Sequence, residues 1–418
     1  MTDYDIVILG AGVVGLTFAA AVAKLPLKIA ILEQKSSISP KADTAIPNRV
    51  SAINLSSEFA LRRLGVWPSI IDQSPSPFTK VIAWDAVGGG EIEFLASELG
   101  LPYLGHVIEN DAITQSLWQH CQGCDNIDSF FGIIPEAFYP HATGAELVTA
   151  TISLNAKLWV AADGAHSWLR QHAGIEQIIK PYQQTAIVAT VATASPHKAT
   201  ARQCFLPSGP LAFLPLPGLP DYPHLCSIVW STSEHHAQDL MSMEASDFNH
   251  QLAIAFDARL GAVEVLGPRV ALPLVMRHAK QYHANQVVLI GDAAHTIHPL
   301  AGQGMNLGIM DACQLAENLA KAYSQKRPLY SEKLLRDYAR KRYAANQTMA
   351  DIMQSFKYLF SKNTGIIPSL RSIGLQFTQK TKPLKHLLLR QALGLWGEQP
   401  QLAQFHPQLF FHDDLLKL

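Results

Sequence analysis

The sequence predicts an α/β fold: a parallel-sheet domain, a mixed β-sheet inserted into it, and a helical C-terminal region. Three observations carry that prediction. Wholly apolar runs of four or five residues recur along the chain, as in strands buried on both faces of a parallel sheet. Between them lie β-rich stretches punctuated by proline, and near the C-terminus apolar residues fall at helical spacing instead.

The first apolar run, Ile6 to Leu9, leads into Gly10, Gly12 and Gly15 in the order GxGxxG. An alanine-rich helix follows from Leu16 to Lys24, then a second run from Lys28 to Leu32 closed by Glu33. Strand, glycine turn, helix, strand and acid together form the dinucleotide fingerprint of a Rossmann-like unit. Gly10 permits the tight turn, Gly12 lets backbone N–H groups reach a pyrophosphate, and Gly15 lets helix and strand pack closely. The helix N-terminus adds partial positive charge. Glu33 would accept hydrogen bonds from ribose hydroxyls and would repel a 2′-phosphate, so the bound nucleotide is expected to be FAD or NAD rather than NADP. The uncharged run Ile6–Ala23, near the lower length limit for a membrane span, is thereby explained as a nucleotide site.

Two further runs deliver motifs of their own. Leu158 to Ala162 precedes Asp163, Gly164, Ser167 and Arg170. Val287 to Ile290 precedes Gly291, Asp292 and His295, then Pro299, then Gly302, Gln303, Gly304, Met305 and Asn306. Each motif sits at the C-terminal end of a predicted parallel strand, where open α/β sheets bind ligands. Gly302 and Gly304 leave backbone amides unobstructed at the start of a helix whose Gly308, Ala312, Leu315 and Leu319 share one packing face.

With its GxGxxG start, DGxxSxxR at Asp163–Arg170 and GDAAHxxxP at Gly291–Pro299, the chain resembles the single-component FAD-dependent aromatic monooxygenases of the p-hydroxybenzoate hydroxylase fold. The segments Arg49–Ile53, Leu64–Trp67, Gly209–Leu216 and His295–Gly308 are most similar to those of the ubiquinone-biosynthesis hydroxylases. The resemblance runs from residue 4 to about residue 350. Asn48 departs from it, standing where an acidic residue is expected before Arg49.

The resemblance implies that Gly10, Gly12, Gly15 and Glu33 bind the ADP half of FAD, Asp292 (with Gly291) the ribityl chain, and Gly302 to Asn306 the isoalloxazine edge. Asp163, Gly164 and Arg170 would support the cofactor near the pyrophosphate, and Arg49 and Asn110 are candidates for flavin contacts. NADPH or NADH would visit transiently, since FAD occupies the single full fingerprint. The implied activity is hydroxylation of a polyprenylated phenol or quinol ring with NAD(P)H and O2 through a flavin C4a-hydroperoxide. The backbone of Pro299 is the candidate catalytic group, because its loop should approach the ring. The same chemistry on a soluble aromatic, or a non-catalytic flavin-binding scaffold, are the alternative readings. Ring position depends on pocket shape, which motifs do not encode.

Between the flavin motifs, strands are expected at Thr79–Trp84, Glu91–Leu95, Thr185–Ala194, Gln203–Leu206, Leu211–Leu216 and Leu225–Trp230. The cofactor domain is therefore read as discontinuous, from residues 1–75, 107–180 and 284–350. Residues 76–106 and 181–283 would form the substrate domain and 351–418 a helical tail. A substrate cavity is expected between sheet and flavin.

Among 418 residues, 33 Lys+Arg against 34 Asp+Glu give a net charge of -1, which argues against a nucleic-acid partner. That balance conceals an asymmetry. Residues 352–397 carry seven basic residues and no acid, which leaves the remainder at -8. Within this tail Ile352, Phe356, Leu359 and Phe360 form one apolar stripe, and Leu384, Leu387, Leu388 and Leu395 another with His386 and Arg390 opposite. A basic amphipathic stretch suits either an anionic membrane surface or packing on the core, a subunit partner or a biosynthetic complex. A homo-oligomer is left open.

Five scattered cysteines fit a reducing compartment, and the acidic N-terminus supports no targeting peptide. A cytoplasmic protein, or one peripheral on the inner face of a membrane, is expected. The lone pair Cys121 and Cys124 reads as two thiols at a helix end. His295 and His298 lack further ligands at ordered spacing, so they read as loop-packing or cofactor-shell residues and no metal is expected. A GxSxG nucleophile elbow and the halogenase WxWxIP signature do not occur.

Overall fold

The computed structural model describes residues 2–38, 49–73, 75–298, 302–361 and 365–406. Its first sheet has the strand order His283–Ala284, Val287–Leu289, Ser153–Ala161, Thr2–Leu9, Ile29–Glu33, Ile127–Phe131, and the last five of these run parallel. Parallel strands buried on both faces need no polar alternation, which is why Ile6–Leu9 and Ile29–Leu32 are apolar throughout. The register fixes what meets at the sheet edge. Leu9 lies beside Ala161 and Leu32, and Ala161 beside Leu289. The glycine turn, the Asp163 loop and the Gly291 loop therefore emerge side by side.

The second sheet has eight strands, in the order His295–Thr296, Val263–Ala279, Gln177–Thr193, Leu225–Ser233, Gly209–Leu216, Thr200–Leu206, Lys80–Asp85, Glu91–Leu95. All pairs are antiparallel except Thr200–Leu206 with Lys80–Asp85. The period of two sorts its faces. Leu211, Phe213, Ile228 and Trp230 are buried with Phe248 and Leu252 of the helix Ala245–Ala255. Their neighbours Ala212, Leu214, Val229 and Ser231 point the other way, into a cavity. All six expected strands are present, and Gln177–Thr193 begins eight residues before its predicted start. The 17-residue strand Val263–Ala279 was not predicted. Gly267, Pro268 and Pro273 break its pattern and Val270–Pro273 stay exposed, so the apolar alternation that marks a strand is missing.

A small third sheet joins Val50–Asn54, Gly105–Glu109 and Ser76–Phe78. The helix Gln303–Ser324 packs on the helix Val13–Val22, and Gly308 makes that approach possible: a Cβ there would lie 2.6 Å from Val14 Cγ2. Ala312, Leu315 and Leu319 are buried on the same face, as their spacing predicts. A long helix, Glu332–Ser361, then leads into a helical pair, Ile367–Lys380 and Lys382–Ala392.

Candidate active site

The glycine turn is built by close contact. Gly10 has φ +108°, and a Cβ on it would stand 2.3 Å from the Ala162 carbonyl oxygen. On Gly15 a Cβ would stand 2.1 Å from the Gly10 oxygen. Gly12 differs: it has φ -76°, nothing lies within 4 Å of its Cβ position, and it faces the cavity. It caps the helix Val13–Val22 with no side chain covering the free N–H groups, an arrangement suited to phosphate. At the end of the next strand the Glu33 carboxylate accepts hydrogen bonds from the Ala11 N–H at 2.7 Å and the Lys35 N–H at 3.0 Å. That fixes the carboxylate beside the turn.

The second and third loops are tied together by Arg170. It is buried and donates to the carbonyls of Ala165 at 3.2 Å and Ala293 at 3.3 Å, so its role is to position the two loops. Asp163 accepts from the Leu169 N–H through Oδ2, while its buried Oδ1 has no partner among the described residues. Burial raises its pKa. Asp292 is exposed to the cavity, which it lines. Burial raises its pKa too, against the pull of His295, Arg277 and Arg49.

Arg49 lines the cavity, and its carbonyl accepts from the Asn110 N–H. The Asn110 Oδ1 accepts from Ser51 Oγ at 2.7 Å, so Asn110 braces the cavity wall and is not itself among the lining residues. Gly302 adopts the left-handed conformation, with φ +63°, that opens the helix Gln303–Ser324, whose first turn faces the cavity through Gln303, Gly304 and Met305. Asn306 is a strut: it donates to the Ala52 carbonyl at 2.9 Å and accepts from the Asn54 N–H at 3.1 Å. Asn48 and Pro299 lie outside the described residues.

Behind these loops sits a buried network that the sequence reading missed. Asp311 Oδ2 is 2.6 Å from His295 Nε2 and accepts from the Gly291 N–H at 3.0 Å. Its Oδ1 accepts from Arg342 Nε at 2.6 Å and Asn346 Nδ2 at 3.1 Å. Burial alone would raise the Asp311 carboxyl, but His295 and Arg342 bring it down to about 2. The signal was a lone acid inside the apolar run Leu307–Leu315, because a charge at such a position needs buried partners. Which cation answered it could not be read from one strand of sequence.

His295 and His298 are both buried. His298 Nε2 lies 3.4 Å from Gln184 Oε1, and its ring meets the Tyr182 edge. Burial, helped by Lys357, depresses its pKa to about 4. The unfolded chain, with an ordinary histidine pKa of about 6.5, therefore takes up this proton first as pH falls. Stability from this site is full above pH ~6.5 and is lost progressively towards pH ~4, on the order of 3 kcal/mol in all. Thermal unfolding of wild type and His298→Asn between pH 7 and 4.5 should show a flatter acid decline in the variant. Parallel declines would contradict it. Among the described residues no group of three His, Cys, Asp or Glu could hold a metal ion. Cys121 is buried at a helix end, its thiol pushed up to about 12, and Cys124 follows just past that end.

The loops open into one cavity of ≈ 1220 Å³ that runs on between the second sheet and the C-terminal helices. Ile352, Phe356, Leu359 and Phe360 line it, so this stripe is a cavity wall. The second predicted stripe is turned differently. In Lys382–Ala392 the buried positions are Lys385 and Leu389, while Leu387 and Leu388 are exposed, because Glu98 offers Lys385 Nζ a carboxylate at 2.5 Å. The tail reaches the cofactor loops directly: the Ala392 carbonyl accepts from Gln303 Nε2 and Asn54 Nδ2, both at 3.4 Å.

These features fit FAD. Gly12 and Gly304 leave open space where backbone must approach a ligand, Glu33 holds its carboxylate beside the glycine turn, and among the described residues the buried Asp163 Oδ1 and His295 Nδ1 have no hydrogen-bond partner.

A family model for the FAD binding domain matches residues 3–352. The 3-demethoxyubiquinol 3-hydroxylase of Escherichia coli (strain K12) is 34% identical over 392 residues, covering 94% of this chain and 98% of that protein. Ubiquinone hydroxylase UbiL of Rhodospirillum rubrum is 31% identical, covering 96% and 93%. Among solved structures, p-nitrophenol 4-monooxygenase PnpA from Pseudomonas putida DLL-E4 superimposes with a TM-score of 0.77 at 19% identity, covering 94% of this chain and 99% of that one.

Proposed function

Because the chain belongs to the FAD-binding-domain family that includes the ubiquinone hydroxylases, we propose that it hydroxylates a polyprenylated phenol or quinol ring in ubiquinone biosynthesis, using FAD, NAD(P)H and O2. One observation supports the substrate class above the others. The cavity that begins at the cofactor loops is larger than the roughly 300–1,000 Å³ of an ordinary small-molecule pocket, and it continues as an apolar chamber past Phe94, Met353 and Phe356. That space suits a flavin, a ring and a hydrocarbon tail in series.

FAD, when bound, would supply the redox chemistry, passing electrons from the nicotinamide to O2 and an oxygen atom to the ring. The protein's residues hold and shield. Gly12 and the open helix end would receive the pyrophosphate, Glu33 the ribose and Asp292 the ribityl hydroxyls, and the helix end at Gly302–Met305 would favour negative charge on the isoalloxazine edge. Gly10, Gly15, Asp163, Arg170 and Asn306 hold those groups in place. Ala212, Val229 and Phe205 form the apolar wall opposite, and the C-terminal helices keep water from the reacting ring. The Pro299 carbonyl is the proposed acceptor for the ring hydroxyl. The division into a discontinuous cofactor domain and an inserted substrate domain belongs to the same proposal.

Deleting the gene in its host tests the pathway. Mass spectrometry should find a quinone precursor lacking one ring oxygen, restored by the wild-type gene. Accumulation of no such precursor would reject the pathway assignment. No helix among the described residues is long and apolar enough to cross a membrane. A tail-bearing substrate would be met at a membrane surface or delivered by a partner. Peripheral contact through residues 352–397 is the route we favour.

A further inference from the structure

The C-terminal helical pair has two unlike faces. Its inner face is locked to the body. Arg371 forms a fully buried ion pair with Asp85, Nε to Oδ2 at 2.8 Å, and also donates to the carbonyls of Leu359 and Phe360. Ser372 Oγ donates to the Gly88 carbonyl at 2.5 Å, and a Cβ on Gly88 would meet that hydroxyl at 2.3 Å, so the triple-glycine turn is shaped to the helix. Lys385 is paired with Glu98, and Lys357 donates to the Tyr182 carbonyl. Three of the seven basic residues in this region are thus committed inward.

The outer face is apolar. Ile366, Leu370, Ile373 and Phe377 recur at helical spacing and are 74%, 56%, 61% and 61% exposed. Leu387 and Leu388 of the second helix add to the exposed apolar surface. Lys380, Lys382 and Arg390 stand exposed on the same helical pair, and residues 352–397 contain no Asp or Glu. Contiguous exposure of this kind marks a contact surface. Leu370 and Leu388 also line the cavity, so the apolar ridge borders the cavity's opening.

We propose that this ridge docks on an anionic lipid bilayer, with Ile366, Ile373 and Phe377 in the acyl boundary and Lys380, Lys382 and Arg390 at the headgroups, and that the cavity takes its substrate from the lipid between Leu370 and Leu388. The substrate half of the statement rests on the function proposed above. The occupant follows from charge and continuity. A bilayer is where a prenylated ring dissolves, and its anionic headgroups complement a helical pair that exposes Lys380, Lys382 and Arg390 and carries no Asp or Glu of its own. A second copy bound through the same face across a two-fold axis would set Lys380, Lys382 and Arg390 against themselves.

Flotation of the FAD-loaded full chain with phosphatidylglycerol-containing and pure phosphatidylcholine vesicles tests the surface. Wild type should float with the anionic vesicles. Ile373→Glu/Phe377→Glu, two positions outside the cavity lining, should reduce the bound fraction by roughly tenfold or more, since two large apolar groups leave the lipid. Lys380→Glu/Lys382→Glu should weaken binding to anionic vesicles, as should about 0.5 M salt. Both variants should keep their flavin spectrum and their wild-type rate of hydroxylating a short-tailed phenol in solution. Wild type that stays in the aqueous fraction, or a variant that floats equally well, would overturn the proposal. So would light scattering that finds a wild-type dimer split by Ile373→Glu/Phe377→Glu, which would make the ridge an interface between copies. Loss of vesicle binding with hydroxylation intact removes the docking surface only. Vesicle binding without any hydroxylation removes the function and leaves the surface standing.

Discussion

Gly10→Ala is expected to yield a colourless and destabilised protein, whereas Gly12→Ala yields a colourless but stable one. At Gly10 the backbone has φ +108°, which costs an L-residue on the order of 1–3 kcal/mol, and the added Cβ would lie 2.3 Å from a backbone oxygen that cannot move without shifting a central strand. At Gly12 the backbone conformation is open to any residue and the Cβ meets nothing. What it does meet is the space that the pyrophosphate must enter. Flavin titration should therefore show affinity reduced by roughly a hundredfold or more in both, since about 2.7 kcal/mol suffices for that factor. Chemical unfolding of the flavin-free proteins should separate them, with Gly12→Ala close to wild type. A yellow Gly12→Ala protein would contradict the placement of the phosphate.

Arg342→Met is expected to be the most destabilising single change outside the glycine turn. It removes the guanidinium that, with the His295 hydrogen bond, holds Asp311 ionised, while leaving the carboxylate at zero exposure. Stranding a buried charge costs about 3–5 kcal/mol. The sign of the pH dependence follows from the depressed carboxyl. In wild type this stabilisation is complete above the ordinary carboxylate pKa of about 3.9 and is lost as pH falls through about 2. The double variant Asp311→Asn/Arg342→Met, which removes the charge with its partner, should recover about half of the loss. Denaturant unfolding at pH 7 measures both. A double variant less stable than Arg342→Met would show that the network acts through something other than the stranded charge.

The sequence was most legible where chemistry and spacing coincide. Gly10, Gly12, Gly15 and Glu33 could be read because a parallel strand, a helix N-terminus and a second strand leave few ways to hold a pyrophosphate. The loops at Asp163 and Gly291 could be placed beside them because consecutive parallel strands end at one edge. Positions that act through another residue were harder to read. Asn306 and Arg170 fall within recognisable motifs, yet both serve as struts between loops, which only a register of strands reveals. Asp311 and Arg342 are 31 residues apart, and nothing in either segment names the other.

The tail shows a different limit. Its amphipathicity could be counted, but a helical face carries no label for what it meets. The structure turns Phe356 and Phe360 to the cavity, Arg371 to the buried Asp85, Lys385 to the partly exposed Glu98, and Ile373 and Phe377 outward. Basic residues that suggested a membrane by their number are partly engaged inside the protein. The case for lipid contact now rests on fewer cations and on the apolar stripe beside them.

The proposed function requires that the cavity join a flavin site to a chamber in which a prenylated ring is hydroxylated. A single turnover tests it most directly: anaerobic NADPH is mixed with the FAD-loaded protein and a short-tailed prenyl phenol, and labelled O2 is then admitted. The flavin should bleach and recover on adding oxygen, and mass spectrometry should find the phenol heavier by one labelled oxygen atom. A flavin that NADPH does not reduce, or one that reoxidises while the phenol returns unlabelled, would contradict it.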